Sequence, residues 1–146
     1  MPSLPELLTD ERRKQTVIDE CVQLVDDEVR DKTGISGLAI KAGYAAVKGI
    51  KPGFIRNVVR DLLPEFAAAL DPIYQEAVGR AEPIAGYFER NAGRVADALL
   101  AITDEKARRT TNGLIRGTYD KLRGTAKRNV EQAVPRLGRL VERHAG

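Results

Sequence analysis

Two lysines and a tyrosine are spaced so that one face of a helix presents them together. Lys41, Tyr44 and Lys48 lie three and four residues apart, and Lys51 and Arg56 follow them. Side chains at these spacings share a helix face, and ammonium groups beside a phenol can hold an anionic group. The pattern suggests a contact for an anion or ligand. The alternative is that these lysines extend from a mostly buried helix to water.

A second set of cations lies in the C-terminal region and flanks an apolar stripe. This arrangement is typical of helices that lie on an anionic membrane, bind a partner's groove, or pack in a bundle with their cations outward. Aromatic side chains that stack on bases are missing there apart from Tyr119, so we do not expect binding to RNA or DNA. Three members follow a seven-residue stride and two lie nearby: Arg109, Arg116, Arg123, Lys127 and Arg128.

The residues of common catalytic and metal sites are scarce. The chain has one cysteine and one histidine, which excludes disulfide frameworks, Cys-His pairs and most metal cages. His144 stands outside any Glu-x-x-His motif, so a di-iron site is excluded. EF-hand, phosphate-loop, dinucleotide and nucleophile-elbow motifs are absent. Cys21 lies on an apolar helix face, which favours a packed thiol. We therefore expect no enzyme activity, no metal and no cofactor.

An enzyme without a local motif stays open as an alternative. It requires a concave pocket lined by titratable groups. The candidate set for such a pocket is Lys41, Tyr44, Glu65 and Arg90.

The charge is distributed unevenly along the chain. The 24 basic and 21 acidic residues give a net charge of +3, which is too small to indicate an anionic partner by itself. Residues 1–33 carry 5 basic and 9 acidic side chains, whereas residues 106–146 carry 11 and 3. This difference fits two ends that pack together, or a basic tail for a partner. We find no run of 18 apolar residues and no secretory leader, so we expect a cytoplasmic protein without a transmembrane segment.

Apolar residues recur at helical spacing throughout, and no segment alternates as a strand does, so the sequence predicts an all-α fold. We expect one domain over residues 1–146, a compact bundle of five to seven helices, several of them kinked or broken at proline or glycine. Ser3 and Glu6 form a capping box, which predicts a short helical arm over residues 1–9. Pro64 is expected to kink or end its helix. Residues 104–146 form a long basic amphipathic region that Thr103 caps and Pro135 kinks or divides.

Small residues mark places where helices can approach closely. The segment 37–49 places Ala39 and Gly43, and likewise Ala42 and Ala46, four residues apart, which predicts a buried central helix. Gly117, Gly124 and Gly138 follow a seven-residue stride. Because each glycine inside a helix costs about 1 kcal/mol relative to alanine, they mark close helix contacts or, alternatively, breaks between shorter helices.

These patterns favour a non-enzymatic protein that contacts a protein partner or itself through its glycine and alanine seams, with a homodimer as one form. The alternative is a binder of an apolar or anionic amphipathic ligand, or of a membrane surface, through the basic C-terminal region.

Overall fold

The computed structural model describes residues 2–145, and within that range it contains seven α-helices and no strand. The predicted all-α bundle of five to seven helices is confirmed. None of these helices combines the length and the apolar character needed to cross a bilayer. The helices are α1 (Leu4–Leu8), α2 (Lys14–Asp31), α3 (Gly34–Lys48), α4 (Phe54–Gly79), α5 (Ile84–Arg90), α6 (Ala92–Arg109) and α7 (Gly113–Ala145).

The long helices α4 and α7 organise the core. Helix α7 packs mainly against α5 and α6, and α4 packs against α1, α2 and α6. Phe88 is the largest side chain that is completely buried. The predicted N-terminal arm is packed into this core, because Leu4 and Leu8 are buried and the Leu4 amide donates to Asp71 at 2.8 Å. The Ser3 hydroxyl accepts from the Glu6 amide, as its capping role predicts.

Three prolines lie inside continuous helices. Pro64 and Pro72 are both within α4, and Pro135 is within α7. The sequence left two outcomes open at Pro64 and at Pro135, a kink or an end of the helix, and the structure excludes the end at both. A proline inside a helix removes a hydrogen bond and costs about 3 kcal/mol. Buried residues on either side of Pro64, such as Leu63 and Ala67, pack both halves of α4 into the core.

Helix α6 ends later than the sequence suggests. Thr103 lies inside α6 and is not the cap of the last helix. Its hydroxyl is bonded to the Leu100 carbonyl and to the Tyr119 hydroxyl, which joins α6 to α7. The cap of α7 is Asn112, whose side-chain oxygen accepts from the amides of Leu114 and Ile115, the role that asparagine fills before a first turn.

The prediction that α3 is a buried central helix is wrong. Among its residues, all of which the structure describes, Gly37 alone is buried. Helix α3 packs on one side, mainly against α7 and α2, and its other side faces solvent. The core forms from the other helices and contains no α3 residue.

Of the three glycines that follow a seven-residue stride in α7, Gly138 alone lies at a close contact between helices. A Cβ at Gly138 would lie 3.1 Å from the Ala85 Cα, so α5 approaches α7 closely there. Gly117 and Gly124 are exposed, with open space where a Cβ would lie. They are neither close contacts within the chain nor breaks between shorter helices, because α7 continues through both.

Candidate functional site

Helix α3 is fixed to the bundle through its glycines. A Cβ at Gly37 would lie 2.9 Å from the backbone carbonyl carbon of Lys32. A Cβ at Gly43 would lie 2.9 Å from the Thr118 methyl group and 3.2 Å from Leu122 Cδ1. Glycine lets backbone and neighbour approach this closely. These two residues therefore identify the side of α3 that faces the rest of the protein.

The opposite side of α3 is apolar and open. Ile35 is 89% exposed and Leu38 is 68% exposed, and they are two of the three large hydrophobic residues with high exposure in the described chain. Residues at three- and four-residue spacing lie on one helix face, and here they form a continuous apolar stripe. We call this stripe the α3 outer face; it consists of Ile35, Leu38, Ala39, Ala42, Ala45 and Ala46.

The charge near the α3 outer face is positive. Helix α3 contains two lysines and no acidic residue, and Lys51 follows in the next turn. Lys41 and Lys51 are exposed, and within residues 2–145 no carboxylate lies within 4 Å of either ammonium group. On α7, Lys121 and Arg128 are exposed along the stretch against which α3 packs. The carboxylates beside α3, Asp26, Glu28 and Asp31, are each bonded to groups of the protein, whereas these four cations are not.

The first predicted set of anion contacts is divided by the structure. Tyr44 donates a hydrogen bond to the Asp26 carboxylate, and Lys48 lies 3.9 Å from the same carboxylate and 5.6 Å from the centre of the Tyr44 ring. Burial, together with Asp26, raises the pKa of the Tyr44 phenol. Arg56 bonds Asp19 on α2. Only Lys41 and Lys51 of the five are left facing solvent without such partners in the described chain.

The second predicted set is mostly engaged within the bundle. Arg123 forms two hydrogen bonds to Asp104, at 2.8 and 3.1 Å, and with Tyr119 it holds the pKa of that carboxyl below its usual range. Arg128 is exposed and has no carboxylate partner in the described chain. The other three partners are Glu105 for Arg109, the Arg108 carbonyl for Arg116, and Asp97 for Lys127.

Two surface clefts are lined by groups that already bind one another. The larger, about 460 Å³, lies between α2, α3 and α7. Its Glu28 carboxylate binds Arg136 at 2.7 Å and Lys32 at 3.3 Å. The smaller cleft, about 340 Å³, contains the ion pair between Asp104 and Arg123. Arg128 in the larger cleft and Asp120 in the smaller one form no hydrogen bond or ion pair within the described chain.

The groups that a catalytic pocket would need are dispersed. Glu65 pairs with Lys106 at 2.9 Å, and Arg90 pairs with Glu82 at 2.7 Å. Both ion pairs are distant in sequence from Lys41 and Tyr44. Within residues 2–145, no group of three His, Cys, Asp or Glu residues is placed to hold a metal ion. The described chain has no buried side-chain polar atom without a hydrogen-bond partner.

Cys21 packs against the edge of the core. Burial raises the pKa of its thiol to about 11. A thiol with so high a pKa stays protonated and unreactive near neutral pH, which agrees with a packing role.

Ile35 and Leu38 are the site residues that sequence reasoning missed. The signal that identifies them is the position of the glycines. Gly37 and Gly43 lie on the side of α3 opposite Leu38 and Ala42, given 100° of rotation per residue. Since glycines mark the packed side, the stripe opposite them is the outward one.

The chain was compared with protein families, curated proteins and solved structures. The model of one family, described as "Family of unknown function (DUF6918)", matches residues 4–145. No curated protein matches the chain. No solved structure matches it either.

Proposed function

We propose that this chain, which belongs to the family of unknown function DUF6918, is a non-enzymatic protein that associates peripherally with an anionic membrane surface through the α3 outer face. The observation that supports the proposal is the exposure of Ile35 and Leu38 on α3, a helix without an acidic residue. Amphipathic helices that lie in the membrane interface bury such a face at the boundary between headgroups and acyl chains.

The apolar residues supply one part of the binding free energy. Burying a large aliphatic side chain contributes about 1.5–3 kcal/mol. Ile35 and Leu38 contribute most of this amount, because nearly all of one side chain and two thirds of the other are exposed. The four alanines of the face add smaller amounts and let the helix lie close to the lipid surface.

The cations supply the second part. A lysine or arginine close to an anionic leaflet contributes about 1 kcal/mol. Lys41, Lys51, Lys121 and Arg128 are exposed and have no carboxylate within 4 Å in the described chain. These four side chains can therefore bind anionic lipid without first breaking an ion pair within the described chain. The lipid that fits this surface is anionic, and the cytoplasmic leaflet, which carries such lipids, agrees with the expected location.

A second copy of the chain is the competing occupant of the α3 outer face. In a two-fold symmetric dimer the same surface patch meets itself. The lysines at one edge of the face in each copy, Lys41, Lys48 and Lys51, would then be gathered into one interface, and like charges brought together at an interface are unfavourable. An anionic surface avoids this repulsion.

Co-sedimentation with vesicles tests the proposal. The protein is mixed with vesicles of phosphatidylglycerol and phosphatidylcholine, or of phosphatidylcholine alone. Salt is set at about 0.01 M or about 1 M, where charges are screened beyond roughly 30 Å or 3 Å. We expect binding to the anionic vesicles at low salt and much weaker binding at high salt or without the anionic lipid.

Two results would overturn the proposal. One is the absence of binding to anionic vesicles at low salt. The other is a dimer, seen by light scattering, that serine at Ile35 and Leu38 converts to monomer while vesicle binding is unaffected. In that case the α3 outer face is the interface between two copies.

A further inference from the structure

We propose that α3 swings out of the bundle as a hinged element when it enters the membrane interface. This inference rests on the proposed membrane association and adds a conformational step to it. Its basis is the combination of two glycine hinges, a helix outside the core, and an inner side that is also apolar.

The two ends of α3 are built as hinges. Gly34 has φ +76° and Gly53, just beyond the following turn, has φ +75°. Glycine adopts this left-handed conformation without the steric cost that a side chain imposes. A Cβ at either position would meet no atom within 4 Å. Each glycine can also adopt other backbone conformations at low steric cost, so the chain can change direction at both positions.

The core does not depend on α3. None of the residues that form the core cluster, or that pack against it from partial burial, belongs to α3. The inner side of α3 contacts α7, α2 and α4 through the neighbours of Gly37 and Gly43, through Tyr44, and through partly buried side chains such as Ile40 and Val47. Release of α3 thus leaves the packed centre of the protein intact.

The inner side of α3 gains from the same environment as the outer face. Ile40 and Val47 are apolar and half-buried against the bundle, and Tyr44 is of the type enriched at membrane interfaces. A docked α3 presents only its outer face to lipid. A released α3 can also bury these three side chains, while its two lysines stay at the level of the lipid headgroups.

A polar latch holds α3 in the docked position. Tyr44 on α3 donates to Asp26 on α2, and Lys48 lies 3.9 Å from the same carboxylate. Release breaks both contacts, and the Lys48 ammonium group can then pair with a lipid phosphate. The latch explains why α3 stays on the bundle in the absence of a membrane.

A reversible crosslink tests whether α3 must leave. A Cβ at Gly43 lies 2.9 Å from the Thr118 methyl, whose carbon is bonded to the Thr118 Cβ. The two Cβ atoms are therefore near the separation of about 3.5–4.5 Å found in disulfides. Gly43→Cys with Thr118→Cys, in a Cys21→Ala background, locks α3 when oxidised and frees it when reduced. Vesicle binding of the two forms is compared by co-sedimentation.

We expect the oxidised form to bind anionic vesicles at least about tenfold more weakly than the reduced form, because the inner side chains cannot reach lipid. Equal binding of the two forms would overturn the hinge and leave the proposed function in place. Failure of the reduced form and of the unmodified protein to bind would overturn the proposed function itself.

A second variant tests the latch independently of disulfide formation. Tyr44→Phe removes the hydrogen bond to Asp26 and keeps the ring. If release is required, this variant should bind about two- to tenfold more tightly than the wild type, the equivalent of one lost hydrogen bond. Unchanged or weaker binding would count against release.

Discussion

Replacing Ile35 and Leu38 together by serine is expected to abolish most of the affinity for anionic vesicles while leaving the fold intact. The two side chains are 89% and 68% exposed in the free protein. Full burial of such a side chain contributes about 1.5–3 kcal/mol. Scaled by exposure, the pair accounts for about 2.4–4.7 kcal/mol of binding, which is roughly a 50- to 2,000-fold change in Kd.

The assay is a vesicle titration followed by sedimentation, with thermal unfolding measured in parallel. Since neither side chain belongs to the core, the free energy of unfolding should change by less than about 0.5 kcal/mol. A double variant that binds vesicles as the wild type does, with an unchanged Tm, would refute the assignment of this face. A large fall in Tm would show instead that the two side chains are packed.

Three further predictions concern the fold. Gly138→Ala should lower the free energy of unfolding by about 1–3 kcal/mol, because the new Cβ would lie 3.1 Å from the Ala85 backbone. Gly124→Ala, where the Cβ would enter open space, should raise it by up to about 1 kcal/mol. Chemical denaturation that ranks the two variants in the opposite order would contradict the packing. Hydrogen bonds from Arg94 and Tyr87 lower the pKa of Glu76 from 4.5 to about 2. The ionised carboxylate therefore stabilises the folded protein fully above pH 4.5, and this contribution is lost as the pH falls towards 2. Glu76→Gln should lose less stability than the wild type over this pH range, and an identical loss of stability would exclude the ion pair. The Cys21 thiol is buried and has a pKa of about 11. At pH 8 it should therefore react with thiol reagents far more slowly in the folded protein than in the unfolded protein. Equal rates would show that the thiol is exposed.

Local signals in the sequence predicted much of the helical architecture. Ser3 and Glu6 located the start of α1 through a hydrogen bond between neighbours in the chain. The helical spacing of apolar residues, on which the all-α prediction depends, recurs in α2 (Lys14–Asp31), where Val17 and Ile18 are buried. Such signals depend on residues within one or two turns, so a single sequence contains them.

The failures occurred where distant residues decide the outcome. Pro64 predicts a boundary locally, but the packing of Leu63 and Ala67 in the core overrides it. Thr103 has a capping side chain, but its hydroxyl binds Tyr119 on another helix. Tertiary contacts of this kind outweigh local propensity and are not visible in the sequence.

The candidate site illustrates the same limit. Small apolar residues in α3 predict a helix that another backbone can approach closely, and Gly43 is in fact approached closely by α7. The composition of α3 does not reveal that only one side is covered, because that depends on how many helices surround it. The positions of Gly37 and Gly43 indicate which side of α3 is packed, but the exposures of Ile35 and Leu38 are needed to show that the other side is uncovered.

The most direct measurement compares one substitution at two exposed alanines. Ala42→Glu introduces a carboxylate at the centre of the α3 outer face. Ala68→Glu introduces the same group at an exposed position of α4. Both change the net charge by the same amount, so any difference in binding to anionic vesicles reports on position alone. We predict that Ala68→Glu binds nearly as the wild type does and that Ala42→Glu loses binding. Equal binding of the two variants would contradict the claim that this face meets the membrane.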